Sequence, residues 1–323
     1  MSQPPGLLGP LDSRPPELPN PWAYEYPQPV RWKLPARWWL NLLLLFLTTV
    51  TTTVFGAALV HSFAQGRSFD QRDLVVSFFQ FLHGDRTLIR GLLFSVPLLL
   101  ILMAHEMGHY VACMKRGVDA TLPFFMPSPT LFGTLGAFIR IKTPIYTRSD
   151  LFDIGSAGPI AGFVMLLPFL FVGLWLSHPL VGGDGQAILI GTPLGLRAIE
   201  WFRFGVTGPE HILLHPMAIS ALAGMLLTAL NLLPLGQLDG GHVVYAVFGE
   251  RTHKVISTCM VGLLVVMGKF YFPWWLWAVA MFFLGRSHPL VYDNNPLNAT
   301  RRWIAAATLL IFILSASLVP TRI

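Results

Sequence analysis

Charge is scarce in this 323-residue sequence: 12% of its residues are Asp, Glu, Lys or Arg, against 54% that are hydrophobic. A soluble globular domain carries about twice that share of charge, so an ordinary water-facing fold is excluded, and the mean hydropathy of +0.59 points the same way. Cysteine is nearly absent. Cys113 and Cys259 are the two present, too few for a disulfide framework, and both fall in or beside apolar stretches where packing accounts for them. Basic runs are missing as well: the net charge of +6 comes from Lys and Arg scattered between apolar stretches, which leaves no surface segment for nucleic acid. The first 37 residues hold ten prolines, from Pro4 to Pro35. That excludes a helical signal peptide there and predicts an extended, disordered tail. The tail is poor in Ser and carries Asp12, Glu17 and Glu25, unlike a plastid transit peptide, so the expected source is a prokaryote with the chain in its cytoplasmic membrane.

What the sequence has in quantity is long apolar stretches. A hydrocarbon core about 30 Å thick needs about 20 helical residues to cross, and candidate crossings lie at 38–60, 91–114, 152–177, 213–233 continuing after a break to 249, 255–270, 273–286 and 303–320. The expected fold is an all-α polytopic membrane protein with about seven transmembrane helices in the lipid bilayer. Its expected organisation is a tail over 1–37, a membrane-embedded unit over 38–286 with its core at 90–250, and a C-terminal loop and helix over 287–323. Trp38, Trp39, Trp274, Trp275 and Trp277 suit either an aromatic belt or packing. Lys115, Arg116, Arg140, Lys142, Arg148, Arg251 and Lys254 fall on the side of the N-terminus, and the positive-inside bias makes that side cytoplasmic.

Three segments resist a helical reading. Residues 120–144 are apolar but cut by Pro123, Pro127, Pro129, Gly133 and Gly136, which predicts a membrane-associated β-hairpin or re-entrant segment. Within it Leu135, Ala137, Ile139 and Ile141 alternate with Gly136, Phe138, Arg140 and Lys142, the period of a strand. Asn231-Leu-Leu-Pro234-Leu-Gly236 interrupts the fourth crossing. Non-helical backbone at membrane depth is tolerated only where protein or a wet cavity satisfies it. Residues 178–210 read as a polar outer loop with a short surface helix at 194–203.

The second crossing contains His105-Glu106-Met107-Gly108-His109. Four helical residues turn about 400°, so the two imidazoles share a face where both reach one metal ion, and Glu106 projects close enough to act as a general base on water. The bland reading is a satisfied histidine pair. Burying ionisable groups at bilayer depth costs about 2.5–3.5 kcal/mol each on insertion scales, so three in one turn require a compensating partner. Catalytic zinc takes three protein ligands, and the other acid inside an apolar segment is Asp239, in Leu238-Asp239-Gly240-Gly241-His242.

These motifs resemble the site-2 protease family of intramembrane zinc metalloproteases (peptidase family M50), in the branch without a PDZ domain. The features that match are His105-Glu106-x-x-His109, Asn231-x-x-Pro234-x-x-x-Leu238-Asp239-Gly240 and Gly158-Pro159 between them, over about residues 90 to 250. The resemblance implies one Zn2+ per chain on His105, His109 and Asp239, with Glu106 as the base. It also implies transmembrane protein substrates cut in regulated intramembrane proteolysis, and a β-structure at Gly133–Arg140. His242, a helical turn beyond Asp239, rivals it as third ligand. Asn231 either donates to the developing oxyanion or serves the helix break. Gly158, Pro159 and Gly162 suit close packing and a bend. Leu238 stands where plastid members tend to have Pro, which again favours a prokaryote. A zinc transporter and a non-proteolytic membrane chaperone are the alternative functions; the first needs a continuous polar path, the second a degraded motif. An edge at 133–142 that holds substrate by backbone pairing is the expected means of capture.

Overall fold

The computed structural model describes residues 37–129, 131–180, 189–207, 211–284, 291, 295–317 and 321–322. The proline-rich tail up to residue 36 and most of the loop after 284 fall outside them. The described chain runs through α1 (Trp38–Ala64), α2 (Gln71–Leu82), α3 (Leu92–Lys115), β1 (Phe124–Pro127), β2 (Thr134–Phe138) and α4 (Arg148–Trp175). It continues through α5 (Leu194–Phe204), α6 (Pro216–Asn231), α7 (Asp239–Phe248), α8 (Glu250–Met267), α9 (Pro273–Leu284) and α10 (Ala299–Ser315). Two further ladders of two residues a side join His178–Pro179 to Ile212–Leu213 and Leu189–Ile190 to Thr321–Arg322.

Among the described residues three helices are long and apolar enough to cross a membrane: α1, α3 with the 3-10 turn that precedes it (Arg86–Lys115), and α4. The other expected crossings are shorter. The 16 residues of α6 rise about 24 Å, because the Asn231–Gly236 break stops the helix where the apolar run goes on. α8 is 18 residues long but opens on Glu250, Arg251, His253 and Lys254. The predicted surface helix at 194–203 is α5. Helix α2 has no counterpart in the expected set, because its 12 residues are too few to register as a crossing.

The segment expected to be a hairpin or re-entrant is a hairpin. β1 and β2 pair antiparallel, with Phe124 opposite Phe138, Phe125 opposite Ala137 and Met126 opposite Gly136, and a bridge between Ala120 and Ile141 extends the ladder. The expected alternation holds from Ala137 onward: Ile139 and Ile141 pack into a buried cluster with Tyr110, Cys113 and Ile154, while Phe138, Arg140 and Lys142 are exposed. It fails at Gly136, whose φ of +105° rotates the chain so that Leu135 faces out. Helix α1 holds both ends of the hairpin. Asn41 Nδ2 donates to the carbonyls of Leu122 (3.2 Å) and Pro123 (2.8 Å), and Thr51 Oγ1 donates to that of Gly133 (2.6 Å).

The core is built on α4. Leu166, Leu170 and Leu174 pack against Ile101 of α3 and Ala218, Leu222 and Met225 of α6, while Leu151 and Phe152 pack with Tyr245 of α7 and Leu297 before α10. At the start of α4 Asp153 accepts two bonds from Arg301 of α10, at 2.9 and 2.8 Å, and pairs with Arg116 at the end of α3. This clamp is mostly withdrawn from solvent, with Arg301 18% and Asp153 20% exposed. Arg301→Leu is expected to destabilise the fold by about 1–3 kcal/mol, read as a lowered thermal midpoint in detergent. Lys254→Leu, which removes an exposed pair with Glu250, should leave the midpoint unchanged.

Candidate metal centre

Helix α3 delivers His105, Glu106 and His109, all buried. The Nε2 atoms of His105 and His109 lie 3.2 Å apart, and Asp239 Oδ2 lies 3.2 Å from each of them. These three ligand atoms converge on one point. An ion bonded to each at about 2.0–2.1 Å in tetrahedral geometry would set its ligands about 3.3 Å apart, so the triangle has the size a zinc ion requires. His109 Nδ1–H donates to the backbone carbonyl of Ile154 at 2.7 Å, which leaves Nε2 as the free lone pair and fixes the ring's orientation. The donor set therefore fits a metal by distance and by tautomer.

That arrangement exists because α4 presents no side chain where the rings sit. A Cβ at Gly158 would run into the His109 imidazole, and one at Gly162 would lie 3.1 Å from His105 Cβ and 3.2 Å from its Nδ1. The two glycines, four residues apart, face the two histidines, four residues apart. Close packing at Gly158 and Gly162 was the expectation; what they pack against is the His109 and His105 rings themselves.

Asp239 arrives from the far side of the α6–α7 break. It is the first residue of α7, so its carboxylate lies at the positive end of a helix. A Cβ at Gly240 would overlap the carbonyl of Leu232, and glycine there lets α7 fold back onto the turn. The turn's polar backbone is met by α8: the wholly buried His253 lies 3.1 Å by Nε2 from the Gly236 carbonyl, and Ser257 Oγ lies 3.3 Å from that of Pro234 and 3.4 Å from the Gly236 amide. Neither residue was singled out in the sequence. The signal available was a His and a Ser four residues apart, on one face of α8.

Asn231, the last residue of α6, sets its Nδ2 3.2 Å from His105 Nε2, so it joins the group at its rim. His242 lines the same cavity, of about 200 Å³, but its Cβ packs against Gly155 and it stands outside the converging triangle. Of the two rivals for third ligand, Asp239 is the one placed with the histidines. The hairpin closes the other side. Ala137, Phe138, Ile139 and Ile141 line the cavity beside Glu106. Arg140 and Lys142 bond to the segment that leads into β1, through Arg140 N–H to Thr121 Oγ1, Thr121 N–H to Arg140 O and Lys142 N–H to Asp119 O. The backbone groups of Ile139 and Ile141 consequently face away from it, toward the cavity.

The sequence matches peptidase family M50 over residues 93–272, more than half the chain, and the protein belongs to that family. Its relatives include "Probable zinc metalloprotease EGY1, chloroplastic" of Arabidopsis thaliana, 30% identical over 227 residues, or 67% of this chain and 40% of the relative. The protein of the same name from Oryza sativa subsp. japonica is 30% identical over 234 residues, covering 69% and 39%. "Probable zinc metalloprotease EGY2, chloroplastic" of Arabidopsis thaliana is 32% identical over 196 residues, covering 58% and 34%. The chain thus spans 34% to 40% of the length of these relatives. They are plant chloroplast proteins, so the prokaryotic source expected from the tail and from Leu238 gains no support. The tail lies outside the region shared with the family, and one residue beside a ligand is a weak marker of lineage.

Gly158→Ala is expected to displace the His109 ring and weaken metal binding by at least about tenfold, measured as metal content after dialysis against graded chelator. Gly262→Ala, where a Cβ meets open space, should bind as the parent does; equal affinity in both variants would refute the role given to Gly158.

Proposed function

We propose that the protein is an intramembrane zinc metallopeptidase that cuts peptide bonds of transmembrane protein substrates, with one zinc per chain held by His105, His109 and Asp239. The observation that carries this reading is the triangle of ligand atoms beside a buried carboxylate, Glu106, on a helix long and apolar enough to cross a bilayer. Membership of peptidase family M50 supports it. Zinc bound at such a site supplies Lewis acidity toward a water molecule and the scissile carbonyl. Glu106 takes the proton of the attacking water on its carboxylate and passes it to the leaving amine. Asn231 Nδ2, at the rim of the group, donates to the oxyanion that develops on the substrate carbonyl.

Substrate is read as an extended segment adding to the hairpin edge, where Ile139 and Ile141 turn their backbone groups to the cavity. A peptide bond inside a helix is shielded by the helix's own hydrogen bonds, and edge pairing replaces those bonds as the segment unwinds. Regulated release of membrane-tethered proteins is the biological role this chemistry suits. We further read α6 with α7, α8, α9 and α10 as lying in the bilayer, giving seven crossings. Exposed apolar side chains such as Leu263 and Val266 on α8, Phe282 on α9 and Leu309, Leu310 and Ile313 on α10 support this. The side carrying Lys115, Arg116, Arg251 and Lys254 is the cytoplasm-like one, and the metal centre lies nearer to it.

Glu106→Gln is expected to keep stoichiometric zinc and lose at least about 10²-fold in turnover of a tagged membrane substrate, whereas His105→Ala, His109→Ala and Asp239→Ala lose the metal. Undiminished cleavage by Glu106→Gln sinks the mechanism. For the edge, Ile141→Pro deletes an amide facing the cavity and should lower cleavage with zinc content unchanged, while Ile141→Val has little effect. Arg140→Pro removes a bond internal to the hairpin and should lower the yield of folded protein. Full activity of Ile141→Pro would dispose of edge pairing.

A further inference from the structure

Helix α2 carries its amphipathic pattern inside out. Asp73, Ser77 and Gln80, spaced i, i+4 and i+7, make one stripe, and Asp73 and Ser77 are buried against the protein. Val75, Phe79 and Leu82, at the same spacing, make the opposite stripe, flanked by Phe78, and these four are 51% to 59% exposed. In a soluble protein the two faces would be exchanged. The inner stripe is fixed by polar bonds: Arg67 Nη1 donates to Asp73 Oδ2 at 2.8 Å, Asp70 caps the helix by accepting from the Arg72 amide at 2.9 Å, and the Asp70 amide bonds back to Asp73 at 3.0 Å. Burial opposes ionisation of Asp73, yet the Arg67 guanidinium and the Asp70 amide outweigh it and hold its carboxyl below the usual carboxylate range.

Position in the chain says what covers the outer stripe. α2 lies between the end of α1 and the 3-10 turn that enters α3, two helices able to cross a bilayer, so it sits at the level where those helices leave the hydrocarbon. Its 12 residues rise about 18 Å, too little to cross a core of about 30 Å. Its apolar stripe continues into Ile89, Leu93 and Val96, exposed side chains on the turn and on α3. Arg72 on the helix and Arg86 and Arg90 in the turn after it are exposed, at the height where phosphate groups lie.

We propose that α2 lies in the plane of the bilayer interface, with Val75, Phe78, Phe79 and Leu82 in the acyl chains, and that the Arg67–Asp73 clamp fixes the end of α1 at that depth. The inference rests on the membrane reading of the chain and not on its peptidase activity. The site of contact is the lipid boundary itself rather than a second protein.

The test is nitroxide labelling of Phe79→Cys and, separately, Val75→Cys in full-length protein reconstituted into phosphatidylcholine vesicles. Cys259→Ser supplies the background, Cys113 being wholly buried. Collisions with oxygen, which concentrates in acyl chains, are compared with collisions with a water-soluble nickel chelate. Both labels are expected to meet oxygen several-fold more often than nickel, as is a reference label at Phe46→Cys, an exposed residue of α1. Nickel prevailing at 75 and 79 with oxygen prevailing at 46 would overturn the proposal alone. Low collision rates with both reagents at 75 and 79 would mean a protein partner or a second copy covers the stripe, and would overturn it too. Nickel prevailing at 46 would overturn the membrane reading as well.

Discussion

The site depends on how closely α3 approaches α4. Two imidazoles and a carboxylate are held out of water on α3, which is expensive in a low-dielectric medium unless each group has a partner. The missing side chains at Gly158 and Gly162 let the His105 and His109 rings lie directly on the α4 backbone. From there the Ile154 carbonyl accepts the hydrogen bond that His109 Nδ1–H donates. Asp153, the neighbouring residue, is the anchor for Arg301 and Arg116. A single stretch of α4 therefore fixes the tautomer of His109 and ties α3 and α10 to the same point.

The remaining donors come from places where regular structure stops. A continuous helix through 216–248 would keep Asn231 and Asp239 on one rigid rod. The break after Asn231 turns the chain so that both side chains meet the α3 histidines, at the cost of exposing backbone polar groups. His253 and Ser257 of α8 satisfy those groups. The hairpin faces the same requirement at its two ends and is satisfied from α1 by Asn41 and Thr51. At both of these breaks a neighbouring helix supplies a polar side chain that receives the irregular backbone.

The region shared with peptidase family M50, residues 93–272, contains α3, the hairpin, α4 and α6 to α8, and so every residue of the metal centre. Helices α1 and α10 lie outside it. They are nonetheless the elements that hold the hairpin and the start of α4. The candidate centre thus sits within the family core, and hydrogen bonds from its flanks hold the hairpin and the start of α4.

Much of the centre was legible in the sequence because it is encoded locally. The spacing of His105 and His109 specifies one face of one helix, an acid in an apolar segment marks Asp239, and Pro and Gly mark both the hairpin and the α6–α7 break. What the spacing left open is what depends on partners far along the chain. Asp239 lies 134 residues from His105, and a turn of helix from His242; only the fold of the turn, with α7 drawn back over Leu232 at Gly240, decides that the carboxylate enters the triangle and the imidazole does not. The Arg301–Asp153 clamp spans 148 residues, and the inverted faces of α2 become meaningful once α1 is seen beside it. Short-range periodicity determines which side chains share a face. The direction that face points, and what meets it, is settled by tertiary packing, because the contacts that choose it join segments with no relation in sequence.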